Sequence, residues 1–359
     1  MTHQAFRDFV FELKEKTPLF IQQMEDKDVK GKYRFSLSGD IPSSTVHWGL
    51  GQTTFAARIL YILDALNVDA KENITRYIQT FAHADGSFYD RYVARSTFMQ
   101  RILRSIKYRN SEFFFNKPNE RAETRQAKAT LINLNVDSLD YRGFDLASLD
   151  IDQYFHQFDW CKPWAAASHI NHLIFFTKYS KCLTDEEKEI IYKKIEDNVL
   201  PFLQEDGIYK INCKLTKNQK IGGLMKFLMG LSLIGLDRKY VKKSFIDFAL
   251  DEMIACDACE NFNTLYVLYY CSKFLDYRKD DIEKFALKEV GNWLSYYHQE
   301  NGAFSFYRGR AQTTYYDAKM SKGLNEPDLH GTAMFIWGIL VVSEILDLKD
   351  ELKLKSIVL

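Results

Sequence analysis

The stretch from Leu324 to Leu346, LNEPDLHGTAMFIWGILVVSEIL, constrains the fold of this chain more than any other. It begins with charged residues and a proline, and it continues as a nearly unbroken apolar run. A surface helix is apolar on only part of its circumference, and this run covers more than that part. The run is also too short, and too close to Glu344, for a membrane span. We therefore expect a helix that is buried on most sides, with Asp328 and His330 at its N-terminal end.

Composition narrows the class of protein. The chain has 359 residues, of which 46% are hydrophobic, so it can bury a large core. Its 48 basic and 48 acidic residues cancel, and this balance gives no reason to expect a nucleic-acid partner. The charged N-terminus lacks the apolar region of a secretory signal, and a chain of this size needs no disulfide scaffold. We therefore expect a cytoplasmic protein with six reduced cysteines, no transmembrane segment and an undetermined oligomeric state.

Apolar helical stretches recur along the chain, and strand patterns are nearly missing. The apolar stretches start near residues 47, 121, 161, 218, 260 and 327. Amphipathic helices with charged faces lie between them, over residues 183–203, 240–254 and 280–297. The sequence therefore predicts an all-α protein in which buried helices alternate with amphipathic ones.

A similar turn ends three of the amphipathic segments. The turns read AHADGSFYD (82–90), QEDGIYKIN (204–212) and QENGAFSFY (299–307). In each one an Asp or Asn precedes a glycine, and a Phe or Tyr follows two residues later. Glycine can end a helix in the left-handed conformation. Repeats spaced tens of residues apart indicate stacked supersecondary units, and the uneven spacing predicts a ring with insertions.

These helices and turns resemble the α/α toroid of protein prenyltransferase β subunits and of squalene–hopene-type terpene cyclases. The resemblance covers about residues 47–346. It implies an (α/α)6 toroid, with six inner and six outer helices, as a single domain over residues 47–359. Residues 1–46 would form an N-terminal helix and an extended segment packed on that domain. The resemblance also implies an aromatic and polar central cavity for an isoprenoid or another amphipathic small molecule.

The same resemblance implies a zinc site. Protein prenyltransferases have an Asp-x-Cys at one inner-helix start and a histidine at a later one. Asp257, Cys259 and His330 match that set in order and placement. A carboxylate, a thiolate and an imidazole, together with a substrate thiolate, would complete a four-coordinate zinc site. The alternative is that Cys259 is an ordinary buried thiol and that Asp257 caps a helix.

The helix starts and the loop over residues 308–328 supply the other candidate site residues. The candidates for acid–base catalysis are His330, Asp328, Asp317 and Glu326. The candidates for substrate binding are His47, Trp48, Arg125, Trp164, His169, Tyr266, Arg310, Tyr315, Tyr316 and Lys322. A structural interpretation competes with each group, because an aspartate can cap a helix and a polar loop can be a solvated crossover.

Three functions remain open from the sequence. The first is an enzyme similar to prenyltransferases or terpene cyclases, with or without zinc. The second is a carbohydrate-active enzyme, such as a glycan hydrolase, lyase or epimerase, that uses paired carboxylates and stacking aromatic side chains. The third is a non-catalytic binding or scaffold protein that has the toroid but not the chemistry.

Overall fold

The computed structural model describes residues 1–42, 47–108, 111–251 and 255–358. The chain divides into two compact units. Unit 1 comprises Met1–Leu139, Leu287–Ser343 and Asp347–Leu359, and unit 2 comprises Asp140–Ala286 and Glu344–Leu346. The boundary that the sequence indicated at residue 46 does not coincide with a boundary between these units, because the N-terminal residues belong to unit 1.

The elements of the two units follow one another along the chain. Unit 1 begins with helices α1 (His3–Met24), α2 (Leu50–Ile62), α3 (Val68–Gln79), α4 (Arg91–Ser96), α5 (Phe98–Tyr108), α6 (Ser111–Phe114) and α7 (Lys117–Asn133). Unit 2 contains α8 (Ile151–His156), α9 (Pro163–Tyr179), α10 (Asp185–Val199), a 3-10 turn (Leu200–Phe202), α11 (Lys217–Ser232), α12 (Asp237–Tyr240), α13 (Lys243–Leu250) and α14 (Ala258–Ser272).

Two further helices and two short hairpins complete the chain. Helix α15 (Lys279–Trp293) contains the boundary between the units, and α16 (Leu329–Ile345) lies almost wholly in unit 1. Strands β1 (Tyr297–His298) and β2 (Ala303–Phe304) form one antiparallel hairpin, and β3 (Thr314–Tyr315) and β4 (Ala318–Lys319) form the other.

The mainly helical structure that the sequence predicted is confirmed. The six apolar stretches correspond to α2, α7, α9, α11, α14 and α16. In α16 every residue from Gly331 to Ser343 is buried, as its apolar composition requires. None of the helices in the described residues is long and apolar enough to cross a membrane.

Helix α1 is the N-terminal helix that the sequence predicted. It runs from His3 through Pro18 to Met24. Phe20 and Ile21, which follow the proline, are buried, so tertiary packing offsets the hydrogen bond that a proline removes from a helix. The buried hydroxyl of Thr17 donates a hydrogen bond of 2.6 Å to the carbonyl oxygen of Gly302, between β1 and β2.

Two of the three repeated turns have the left-handed glycine that their sequences predict, whereas Gly207 of the third turn has a φ of 154°. Gly86 and Gly302 have φ angles of 75° and 62°, in the left-handed region that favours glycine. The aromatic side chains two residues later, Phe88 and Phe304, are 3% and 0% exposed. The aromatic residue therefore anchors the turn in the core of unit 1.

The expectation of six reduced cysteines is wrong for one pair. Cys161 and Cys213 form a disulfide in unit 2, with their Cα atoms 5.5 Å apart. The backbone N–H of Lys210 donates to the carbonyl oxygen of Trp160, which brings the two segments side by side. The two cysteines are 52 residues apart in sequence, so no local pattern could reveal their pairing.

The carboxylate of Asp328 connects three segments of unit 1. One oxygen accepts a hydrogen bond of 2.8 Å from the backbone N–H of Gly331, in the first turn of α16. The other oxygen accepts from the N–H groups of Phe306 and Gln312, at 2.8 and 3.0 Å. Asp328 is 0% exposed, and burial raises the pKa of its carboxyl from 3.8 to about 7, while these hydrogen bonds lower it.

Replacing Asp328 with alanine should destabilise the protein by about 3–5 kcal/mol, because three buried N–H groups lose their acceptor. The loss should be larger at about pH 5 than at about pH 8. The folded pKa lies above the unfolded value, so the stability that this group contributes declines as the pH rises through the folded pKa. Urea denaturation measures both effects. Asp317→Ala, which removes an exposed carboxylate, is the control, and an equal loss in the two variants would contradict the prediction.

Candidate functional site

Five polar side chains of unit 1 form the group that we call the arginine–tyrosine cluster. Its members are Arg58 of α2, Arg125 and Gln126 of α7, and Tyr315 and Tyr316 of the β3–β4 hairpin. Hydrogen bonds or electrostatic interactions connect each member to at least one other member. The cluster therefore unites three segments that are distant in the sequence.

The side chain of Gln126 forms hydrogen bonds with both tyrosines. Its amide Nε2 donates a hydrogen bond of 2.8 Å to the hydroxyl oxygen of Tyr316, and its Oε1 accepts one of 3.3 Å from the hydroxyl of Tyr315. Tyr316 has a φ of 45°, an uncommon conformation for a bulky residue. A Cβ atom at Gly51 would lie 2.6 Å from the ring of Tyr315, so only glycine at this position leaves space for the ring.

Arg58 is a half-buried cation without a carboxylate partner. Its guanidinium carbon lies 5.2 Å from the ring centre of Trp337 and 6.0 Å from that of Phe55. Among the described residues it forms no ion pair. The pKa of Arg58 is lowered to about 10, mainly by burial and also by repulsion from Arg125, although both cluster tyrosines oppose this shift. An uncompensated cation in this position favours the binding of an anion.

Unit 1 also contains a buried acid that has an incomplete set of hydrogen bonds. Glu123 is 0% exposed, and its Oε2 accepts a hydrogen bond of 3.2 Å from the backbone N–H of Asp90. Its Oε1 has no hydrogen-bond partner in the part of the chain that the structure describes. Burial raises the pKa of Glu123 well above its usual value, and repulsion from the Asp90 carboxylate adds to this effect.

His330 lies beside the cluster, in the first turn of α16. Its Nδ1 atom is 2.6 Å from Oε1 of Gln312. An amide oxygen accepts hydrogen bonds, so Nδ1 of His330 is the donor in this contact. The imidazole stacks on Phe55, with 4.6 Å between ring centres. Since Arg58 also contacts Phe55, the cation and the imidazole lie around one aromatic ring.

The other carboxylates predicted to be catalytic have structural contacts. Both oxygens of Glu326 accept 2.7 Å hydrogen bonds from Ser38, one from its backbone N–H and one from its hydroxyl. Asp317 is exposed and forms an ion pair of 2.6 Å with Arg104. Together with the three backbone bonds of Asp328, these contacts favour structural roles for all three carboxylates over the predicted acid–base roles.

The remaining predicted binding residues do not form one group. Trp48 and Tyr266 are each 1% exposed and belong to the core, and Tyr266 donates to or accepts from the hydroxyl of Tyr270 at 2.8 Å. His47 stacks on Phe81 in a separate pocket of about 660 Å³ in unit 1. The others are Arg310 and Lys322, which are exposed, and His169 and Trp164, which lie in unit 2.

The predicted zinc ligands are divided between the two units. Asp257 and Cys259 belong to unit 2, and His330 belongs to unit 1. The carboxylate of Asp257 caps α14 by accepting a hydrogen bond of 2.9 Å from the N–H of Glu260. No group of three His, Cys, Asp or Glu side chains that could hold a metal ion occurs within the described ranges. The contacts of Asp257 and His330 do not fit a zinc site, so we derive no step from a metal.

Sequence reasoning missed Arg58, Gln126 and Gln312. Arg58 lies inside the apolar stretch FAARILYIL of a buried helix. A charge within such a stretch could have identified it as a candidate site residue. A charged residue in a buried helix needs either a partner or a function. Gln312 carried no such signal, because it belongs to a polar loop.

Comparisons with known proteins found no relative of this chain. No protein-family model, no curated protein and no solved structure matches the chain. A functional interpretation therefore depends on the side chains themselves.

Replacing Arg58 with methionine should stabilise the unliganded protein by about 1 kcal/mol. The charge has a desolvation cost of several kcal/mol, whereas its two cation–π contacts contribute about 0.5–1 kcal/mol each. Methionine keeps the contact with both rings. Urea denaturation measures the difference, and Arg104→Met, which removes an exposed ion pair, should change stability by less than about 1 kcal/mol. A clear loss of stability in Arg58→Met would contradict our account of this cation.

Proposed function

We propose that this protein is an enzyme that acts on an acidic carbohydrate, and that the carboxylate of the substrate binds to Arg58. The observation that supports this proposal most strongly is the half-buried guanidinium of Arg58 without an ion pair among the described residues. Arginine presents a fork of N–H donors that matches a carboxylate. We also propose that the six buried helices form the inner layer of the predicted toroid.

The polar character of the cluster favours a carbohydrate over a hydrocarbon substrate. Every cluster side chain carries a hydrogen-bonding group, and Gln312 and His330 add two more nearby. An isoprenoid chain would remove these groups from water without replacing their hydrogen bonds, at about 1–3 kcal/mol for each. Sugar hydroxyls both donate and accept, so a sugar would satisfy them.

The reaction that these residues support is proton abstraction next to a carboxylate. Binding to Arg58 would stabilise the negative charge that develops on the carboxylate when the neighbouring C–H loses its proton. Nε2 of His330 would accept that proton, since Nδ1 is held by Gln312. Burial raises the pKa of Tyr316, so its hydroxyl stays protonated and can donate a hydrogen bond to the substrate. Elimination and epimerisation of uronic acids share this first step.

An isoprenoid diphosphate is the second candidate ligand. The aromatic rings of Phe55 and Trp337 beside Arg58 favour it, because they would contact a hydrocarbon chain next to the diphosphate. In that case Arg58 and Arg125 would bind phosphate oxygens. A protein that only binds either ligand would retain affinity but show no turnover.

Binding experiments distinguish these ligands. Isothermal titration calorimetry with galacturonate, glucuronate and mannuronate tetramers should give affinity for at least one free acid, and its methyl ester should bind at least about tenfold more weakly. Arg58→Gln should lose about 10–100-fold in affinity, because a hydrogen bond to a charged group contributes about 1.5–3 kcal/mol. Arg76→Gln, on an exposed face of α3, is the matched control.

Equal affinity for acid and ester, or no affinity for any tetramer, would contradict the acidic carbohydrate. Farnesyl diphosphate and farnesol are titrated in parallel. Binding of the diphosphate alone, with loss in Arg58→Gln, would favour the second candidate.

His330→Gln should keep the affinity for the acid but reduce its turnover by at least about 10²-fold, the usual contribution of a general base. Turnover is measured as solvent deuterium entering the substrate or as ultraviolet absorbance of a new C=C bond. His156→Gln, at an exposed position, should leave the rate unchanged. If His330→Gln reacts as fast as the unchanged protein, this histidine is not the base.

A further inference from the structure

Unit 2 has a cleft that the proposed function does not use. It has a volume of about 800 Å³ and lies at the N-terminal ends of α9, α11 and α14. Its lining includes Trp164, Lys217, Gly222, Asp257, Glu260 and Asn263. The volume falls within the range of small-molecule sites, and the lining combines an indole ring with several polar side chains.

That indole differs from every other tryptophan in the chain. Trp164 is 51% exposed, whereas the other four tryptophans, Trp48, Trp160, Trp293 and Trp337, are at most 7% exposed. A large exposed aromatic ring inside a concave site usually contacts a ligand, because its apolar surface is otherwise left in water. Such a ring provides a flat surface for the apolar C–H face of a sugar.

The side chain of Asn263 provides a second and independent indication of a ligand. It lines the cleft and is only 6% exposed, yet its amide has no hydrogen-bond partner among the residues that the structure describes. The hydrogen-bonding capacity of this amide is therefore available to a ligand with hydroxyl groups in the cleft. An amide can both donate to and accept from hydroxyl groups.

Gly222 keeps the space between the indole and the amide open. A Cβ atom at this position would lie 3.2 Å from Cδ1 of Trp164 and 3.5 Å from Nδ2 of Asn263. Any larger side chain would therefore occupy the place where a ligand could contact both groups.

The charged groups of the cleft have contacts within the protein. Asp257 accepts from the N–H of Glu260, and Glu260 accepts a hydrogen bond of 2.8 Å from the N–H of Cys256. The ammonium of Lys217 donates one of 2.8 Å to the carbonyl oxygen of Asp251. The ammonium of Lys226 already lies 5.4 Å from the centre of the Trp164 ring. The lining thus favours a neutral ligand over a cationic or anionic one.

We infer that this cleft binds a neutral sugar ring, which stacks on Trp164 and hydrogen bonds to Asn263. The inference does not depend on the proposed function, which concerns a carboxylate and unit 1.

Quenching of tryptophan fluorescence by acrylamide tests the inference. Trp164 is the most exposed tryptophan, so it should supply most of the quenchable emission, and Trp164→Phe should remove that part. The probes are cellotetraose, xylotetraose, maltotetraose, mannotetraose and tetra-N-acetylchitotetraose at millimolar concentration, all uncharged. At least one of them should protect the emission from quenching. If none of the five does so, the inference is wrong.

Two variants examine the contacts with the protecting sugar. Asn263→Ala and Gly222→Val should each weaken its affinity at least about tenfold, the first by removing the amide and the second by filling the gap. Ile190→Ala, at an apolar position of α10 that is 59% exposed and outside the cleft, is the matched control. Undiminished affinity in Asn263→Ala would overturn the inference even if Gly222→Val failed to fold. These probes carry no carboxylate, so their failure leaves the uronate experiment unaffected.

Discussion

The buried carboxylate of Asp328 is the interaction on which the proposed catalytic region of unit 1 depends. It fixes the backbone of Gln312 and of the first turn of α16, and these two segments carry the atoms of the Gln312–His330 contact. The backbone N–H of Leu329 also donates to the carbonyl oxygen of Phe35, so the N-terminal segment is tied to the same point. The orientation of the histidine therefore follows from an aspartate two residues earlier, which has no direct part in the proposed chemistry.

One half-buried and one fully buried group of unit 1 have an unfavourable electrostatic environment. Arg58 lacks an ion pair among the described residues, and one oxygen of Glu123 lacks a hydrogen bond. Stable proteins tolerate few such groups, and those that persist are often functional. Asn263 in unit 2 also has hydrogen-bonding capacity that the described residues do not use, and it lines the other proposed site. In both units the incomplete polar contacts, more than any motif, indicate where a ligand binds.

The sequence predicted the periodic features of the fold well. The long apolar runs, the amphipathic segments and the Asp/Asn–Gly turns depend on nearest neighbours along the chain, and these predictions agree with the helices and turns observed. Of the candidate site residues, Arg125, Tyr315, Tyr316 and His330 lie in or beside one cluster. Trp48 and Tyr266 were chosen for their residue type, but they are core side chains, because aromatic character does not distinguish a cavity wall from a packed interior.

The sequence by itself determined that the chain is mainly helical and that α16 is buried, because apolar periodicity and turn chemistry are local properties. Only the tertiary structure decided which polar side chains meet. The pairing of Cys161 with Cys213, the contact of Gln126 with both tyrosines and the position of Arg58 between two aromatic rings all join residues that are distant in the sequence. Such contacts depend on how helices pack, and helix packing is not encoded in the pattern of any single segment.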